Sequence, residues 1–184
     1  MKNKKALFID RDGVINSDTG YVYEQNKFIF KKEIFNIVRL ANKLNYLVII
    51  ITNQSGIARG FYTEDDFNNL MKWVLNEFKK SNCFIDDIYF CPFHKDGKIP
   101  KYTKESSLRK PLPGMINLAA TEHNIDIKKS ILIGDKMTDI SAGHAAGIKI
   151  NLLLNENKSE YNNIHKKIIY TEISNLMEAE NFFK

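Results

Sequence analysis

The run Leu47-Val-Ile-Ile-Ile51 carries no polar side chain at any position. Successive side chains of a strand point to opposite faces, so a strand without alternation must be covered on both. Its β-branched density and shortness favour a strand over a buried helix. A chain built around such a segment needs helices on either side of a sheet, the arrangement of a central parallel strand. Ala6-Leu-Phe-Ile9 reads the same way.

Strand-like and helix-like runs alternate along the chain, which predicts a doubly wound, mainly parallel α/β sheet of βαβ units. Strands are expected at Lys5–Ile9, Tyr46–Thr52, Asp87–Cys91, Ser130–Ile133 and Ile148–Leu154, with a weaker one near Ile168–Tyr170. Helices are expected over Lys32–Leu44, Glu64–Lys80, from Pro113 to about Asn124, over Thr138–Ala146, and from about Glu172. Ile34, Ile37, Ala41 and Leu44 share one face of the first. Thr63 and Asp66 are spaced as a capping box for the second, whose apolar stripe leaves Trp73 off centre, as a packing or interface residue. Asn53–Tyr62 reads as a loop. Arg11–Phe30 and Pro92–Leu112 are irregular, long connections of the kind that carry function.

The 184 residues suffice for one domain over residues 1–184. No apolar run approaches the ~20 residues of a transmembrane helix, and the basic Met1–Lys5 segment meets Asp10 too soon for a signal peptide. Two cysteines make no disulfide scaffold, so a reducing cytoplasm is expected. The net charge of +5 is spread among acidic residues without a basic block, which argues against a nucleic-acid partner. A monomer without membrane partners is expected. His123 and His165 read as surface residues and His144 as a packing residue.

The chemistry concentrates where strands end. Asp10 and Asp12 follow the first strand, at the crevice where open α/β sheets bind ligands, and Gly13 lets the chain turn sharply away. One such carboxylate can be nucleophile and Mg2+ ligand while the other handles a proton. Thr52 ends the second strand, where a hydroxyl can meet a phosphoryl oxygen. Gly134-Asp-Lys-Met-Thr-Asp139 follows the fourth strand: Asp135 can complete a metal site with Asp10, while Asp139 either turns back toward it or favours its helix N-terminus. Arg109-Lys110 precedes a helix, where a cation can neutralise a transferring phosphoryl group.

This ordered combination resembles the haloacid dehalogenase superfamily of aspartate-nucleophile phosphatases from Ala6 to about Leu154. Phe8-Ile-Asp-Arg-Asp-Gly-Val-Ile-Asn16, Thr52-Asn-Gln-Ser-Gly-Ile-Ala-Arg-Gly60, Arg109-Lys-Pro-Leu-Pro-Gly-Met115 and Gly134-Asp-Lys136 are similar to its heptose-bisphosphate and histidinol-phosphate phosphatase subgroup. The resemblance implies a Rossmann-like fold without a cap domain, its pocket shaped by loop insertions. It implies Asp10 as nucleophile, Asp12 as acid and base, and Thr52 and Lys110 on the phosphoryl oxygens. Mg2+ would lie between Asp10, the Asp12 main-chain carbonyl and Asp135. Asp18, Thr19, Gly20, Tyr21, Asn53, Gln54, Ser55 and Lys136 would line a small phosphorylated sugar, with Arg109 selecting it and Arg59 meeting a second phosphate. A heptose 1,7-bisphosphate, on the route to nucleotide-activated heptose for a bacterial surface polysaccharide, is the implied substrate. Histidinol phosphate is the alternative.

The chain departs from this subgroup at its zinc loop, which expects a Cys-x-His pair and a Cys-x-Cys pair before Arg-Lys-Pro. Cys91-Pro-Phe93 and Ser106-Ser-Leu108 stand there, with His94 displaced by one. Structural zinc normally needs four ligands, so no zinc is expected, Cys91 reads as a buried apolar residue, and His94 as a surface residue with an approach to substrate as the alternative. Two rivals fit less well. A receiver domain expects its phosphorylated Asp after the third strand, where Cys91 stands, and a nucleic-acid end-processing phosphatase expects a basic stripe with aromatics.

Overall fold

The computed structural model describes residues 4–156 and 168–183. Among these residues six strands form one sheet: β1 Lys5–Ile9, β2 Tyr46–Asn53, β3 Asp87–Cys91, β4 Ile131–Gly134, β5 Ile150–Leu154 and β6 Thr171–Ile173. Their order is β3-β2-β1-β4-β5-β6, and every pairing is parallel. The chain winds outward from β1 to β3, crosses back to β4 and winds outward again, so the topological switch lies between β1 and β4. Asp10 leaves the sheet at that switch.

Among the described residues five α-helices, α1 Ile34–Lys43, α2 Ser55–Ala58, α3 Glu64–Lys80, α4 Gly114–His123 and α5 Met137–Ala146, accompany the sheet. The uniformly apolar β2 explains the layering. Val48 and Ile50 face one apolar layer, with Ile34 and Ile37 of α1 and Phe67, Val74 and Phe78 of α3. Ile49 and Ile51 face the other, with Met115 and Ile116 of α4 and Ile140 and Ala142 of α5. The capping box at α3 forms as its spacing predicts: Thr63 Oγ1 accepts from the Asp66 amide at 3.0 Å, and Asp66 Oδ2 accepts from the Thr63 amide at 2.8 Å.

Some expectations are corrected. The segment read as a loop over Asn53–Tyr62 contains the single turn α2, preceded by Gln54, whose amide bonds the Cys91 carbonyl at 2.8 Å. The tail strand is not at Ile168–Tyr170. It is β6, an edge strand in which Thr171 and Glu172 are exposed and only Ile173 is buried, so apolar density pointed to the wrong triplet. The helix expected from Glu172 begins at Leu176 and is a 3-10 helix through Phe182. His144 is exposed, because the buried stripe of α5 runs through Asp139, Ile140, Ala142 and Gly143. His123 is half-buried, its Nε2 2.8 Å from Asp87 Oδ2. His165 lies outside the described residues. Among the described residues, no helix is long and apolar enough to cross a membrane.

The excursion between β1 and α1 folds back over the helical layer rather than into solvent. Phe28 and Phe30 lie with ring centroids 5.7 and 5.5 Å from Trp73. Trp73 therefore takes the packing role of the two its off-centre position left open, and anchors this excursion. Trp73→Ala should lower stability by about 2–3 kcal/mol, less than for a fully buried indole, read as a lower urea midpoint at unchanged slope.

Candidate active site

Asp10 and Thr52 stand at neighbouring strand ends on β1 and β2, and Asp135 follows the end of β4. Asp10 remains stitched to the sheet, its amide donating to the Ile133 carbonyl at 3.0 Å. From the connection after β3 comes Lys110, only 3% exposed. Its Nζ lies 2.9 Å from Asp10 Oδ1 and 2.5 Å from Asp139 Oδ1, and donates to the Ile51 carbonyl at 3.0 Å. The Asn53 side chain clamps the Lys110 backbone, accepting from its amide and donating to its carbonyl, both at 3.1 Å.

The charge balance is negative. Burial, opposed by Lys110 and reinforced by Asp139, Asp135 and Asp12, pushes the Asp10 carboxyl up to about 8. Burial and Asp139 push Asp135 up to about 6. Burial works against the Lys110 ammonium, but Asp10 and Asp139 hold its pKa above the usual lysine range. Lys110, and Lys136 at 3.8 Å from Asp135 Oδ2, thus face the three carboxylates of Asp10, Asp135 and Asp139, a site that favours a further cation.

The donor set fits a hard divalent ion. Asp10, Asp135 and Asp139 each offer a ligand atom, all within 4.8 Å of one another. Asp139 is also tied elsewhere, by Oδ1 to Lys110 and by Oδ2 to the Lys136 amide at 3.0 Å. It does both things its position suggested: it turns back toward the cluster and caps the start of α5. Gly13 leaves the cradle open. Its φ is +90°, and a Cβ there would sit 2.1 Å from Asp135 Oδ2.

Asp12 accepts five hydrogen bonds from three side chains. The fully buried Arg11 donates from Nη2 to both carboxylate oxygens at 2.7 Å and from Nε at 3.1 Å. Asn16 Nδ2 donates at 3.1 Å and Gln54 Nε2 at 3.2 Å. Gln54 Nε2 also donates to Thr52 Oγ1 at 2.7 Å, and Tyr62 OH donates to Gln54 Oε1 at 2.5 Å. Sequence reasoning missed Arg11, Asn16 and Tyr62. Their only signal was proximity to Asp12 and to the Thr52–Gly60 motif, which does not reveal which side chains turn inward.

A cleft of about 370 Å3 opens over Asp10, Asp12, Thr52 and Lys110. Of the sequence-predicted substrate residues, Asp18, Gly20, Tyr21, Asn53, Gln54, Ser55, Arg109 and Lys136 line it, together with Tyr62 and Thr138. Lys136 Nζ meets Asp18 Oδ2 at 2.8 Å across its mouth. Burial works against the Asp18 charge, but the Lys136 bond and the Gly20 amide hold its pKa below the usual carboxylate range. Thr19 and Arg59 do not line the cleft. Arg59 Nη2 instead lies 3.3 Å from His94 Nε2. His94 is therefore not a free surface residue: it is largely buried beside Arg59, and burial with the Arg109 and Arg59 charges holds its pKa down. At the former zinc positions, Cys91, Phe93 and Leu108 join one apolar cluster, and burial pushes the Cys91 thiol up.

Gly13→Ala should strain the backbone and crowd Asp135, weakening Mg2+ binding ~10–100-fold by calorimetric titration. Gly20→Ala, at φ +84° with nothing within 4 Å, should keep the Mg2+ affinity and show only the strain of a left-handed residue, ~1–2 kcal/mol.

Comparison with known proteins bears on this site. The HAD-hyrolase-like family model matches residues 107–174. The D-glycero-alpha-D-manno-heptose-1,7-bisphosphate 7-phosphatase of Burkholderia mallei is 49% identical over 154 residues, 84% of this chain and 81% of that protein. The enzyme of the same name from Campylobacter jejuni is 45% identical over 180 residues, 98% of this chain and 96% of that protein. The crystal structure of D,D-heptose 1.7-bisphosphate phosphatase from B. bronchiseptica, complexed with magnesium and phosphate, superposes with a TM-score of 0.73 at 27% identity, covering 82% of this chain and 80% of that one.

Proposed function

The chain belongs to the haloacid dehalogenase-like phosphatases, and we propose that it removes the 7-phosphate of a D-glycero-D-manno-heptose 1,7-bisphosphate, as a Mg2+-dependent cytoplasmic monomer. It is a phosphoric monoester hydrolase with an α/β fold. The observation that carries the substrate reading is the division of cations along the cleft. Lys110 is buried on Asp10, whereas Arg109 and Lys136, the latter shared with Asp18, line the same cleft and would meet a second phosphate of the same sugar. An amine-bearing substrate such as histidinol phosphate needs a carboxylate instead. Asp18 is already paired with Lys136, and Glu24 with Lys27 at 2.9 Å.

In this reading an Asp10 oxygen attacks phosphorus, the bond from phosphorus to the sugar oxygen breaks, and Asp12 gives that oxygen its proton. Asp12 then takes a proton from water as the water attacks the aspartyl phosphate, releasing inorganic phosphate and restoring Asp10. Thr52 and Lys110 hold the phosphoryl oxygens, and Asp139 keeps Lys110 aimed at them. Asp10, Asp135 and the Asp12 main-chain carbonyl would hold Mg2+, which when bound supplies charge neutralisation between carboxylates and phosphate. Zinc has no part in this reading, because Phe93 and Leu108 pack with Cys91 in an apolar cluster and Ser106 offers only a hydroxyl that accepts from the Leu108 amide at 3.2 Å.

Asp10→Asn should fold normally and lose at least ~10^3-fold in kcat, about 4 kcal/mol of transition-state stabilisation. A phosphate-release panel of both heptose bisphosphate anomers and histidinol phosphate checks the substrate: turnover of histidinol phosphate at the higher kcat/KM would overturn the sugar reading.

Chelation should abolish turnover and Mg2+ restore it. Elemental analysis of the purified chain should find no stoichiometric zinc, and a zinc-to-protein ratio near one would refute the metal-free loop.

A further inference from the structure

We propose that Tyr62 is a positioning residue for phosphoryl transfer, acting through Gln54 to orient both Asp12 and Thr52. The proposal deepens the phosphatase reading and rests on it. Tyr62 is 6% exposed, and its ring lies parallel to Tyr23, with centroids 5.0 Å apart. The other side of the ring is shaped by Gly56, where a Cβ would fall 2.1 Å from Tyr62 Cε1. The ring is thus fixed by packing, and its hydroxyl reaches one partner, Gln54 Oε1, at 2.5 Å.

That contact decides which way a buried amide points. Gln54 is 1% exposed, so neither end of its side chain turns to water. With Oε1 accepting from Tyr62, Nε2 faces inward, and its two hydrogens meet two acceptors, Thr52 Oγ1 at 2.7 Å and Asp12 Oδ2 at 3.2 Å. The reversed amide would set Oε1 against the Asp12 carboxylate, oxygen against oxygen. Burial raises the Tyr62 phenol well above its ordinary range, so it stays a protonated donor.

Two consequences reach the reacting atoms. Thr52 Oγ1, having accepted from Gln54, keeps its own hydrogen to donate to a phosphoryl oxygen. Asp12, already gripped on both oxygens by Arg11, gains a further donor on Oδ2 from the cleft side, which with the Asn16 contact on Oδ1 narrows the orientation of the carboxylate relative to the leaving oxygen. Tyr62 touches neither substrate phosphorus nor Asp10. Its effect passes entirely through one amide.

The test is a double-mutant cycle between Tyr62→Phe and Gln54→Met, in steady-state kinetics on whichever phosphomonoester the wild-type chain turns over. Tyr62→Phe keeps the ring and its stacking. It should lower kcat ~10-fold, a part of what acid–base catalysis supplies, with KM changed less than ~2-fold. Gln54→Met should lower kcat further, and the double variant should be no worse than Gln54→Met alone, because Tyr62 has nothing left to orient. Mg2+ affinity of Tyr62→Phe should match wild type, a readout that general disorder of the site would move. Additive losses, a KM effect in place of a kcat effect, or wild-type kcat in Tyr62→Phe would each overturn the proposal. A chain that ignores heptose bisphosphate yet hydrolyses another phosphate ester removes the substrate reading alone, and the cycle is still read on that ester.

Discussion

One buried ammonium organises this molecule's centre. Lys110 sits between Asp10 and Asp139 with its charge enclosed, and each partner comes from a different part of the chain. Removing Lys110 would strand buried carboxylates, a situation that costs several kcal/mol, whereas neutralising Asp10 leaves the ammonium paired with Asp139. The contact therefore does structural work beyond chemistry. It pins the long connection after β3 onto the end of β1 and onto the start of α5, and the Asn53 clamp on the Lys110 backbone completes the attachment. The carboxylates that hold the lysine also leave the site negative overall, so the same arrangement that stabilises Lys110 creates the need for a divalent ion.

The sheet order makes that convergence possible. β1 lies between β2 and β4, so Asp10 has Thr52 on one side and Asp135 on the other without any long loop bringing them together. Parallel pairing points all three strand ends the same way. The doubly wound topology thus supplies the floor of the site from three separate segments, and the irregular connections after β1 and β3 supply its walls.

The parts of this architecture that obey short-range rules were legible in the sequence. β2 declared itself by being apolar throughout, α3 by its capping box, and the floor residues by sitting just past apolar runs. The tail was misread because β6 is an edge strand, where a single buried Ile173 suffices and apolar density is no guide. Tyr62, Arg11 and Asn16 were missed for a different reason. Each acts by pointing inward across the cleft, and nothing in a local sequence window encodes which of several neighbouring polar or aromatic side chains does so. Arg59 illustrates the converse: its motif suggested a phosphate contact, yet its guanidinium is turned toward His94.

The contact between Lys136 and Asp18 joins residues 118 positions apart and spans the mouth of the cleft. Both partners lie partly in water, with the Lys136 side chain 54% exposed. In enzymes that close a domain over their substrate, entry waits for a collective motion on the microsecond to millisecond scale. The Lys136–Asp18 contact joins two surface side chains, whose rotation occurs in picoseconds to nanoseconds. An incoming phosphate therefore meets Lys136 already engaged, and binding there exchanges one anionic partner for another.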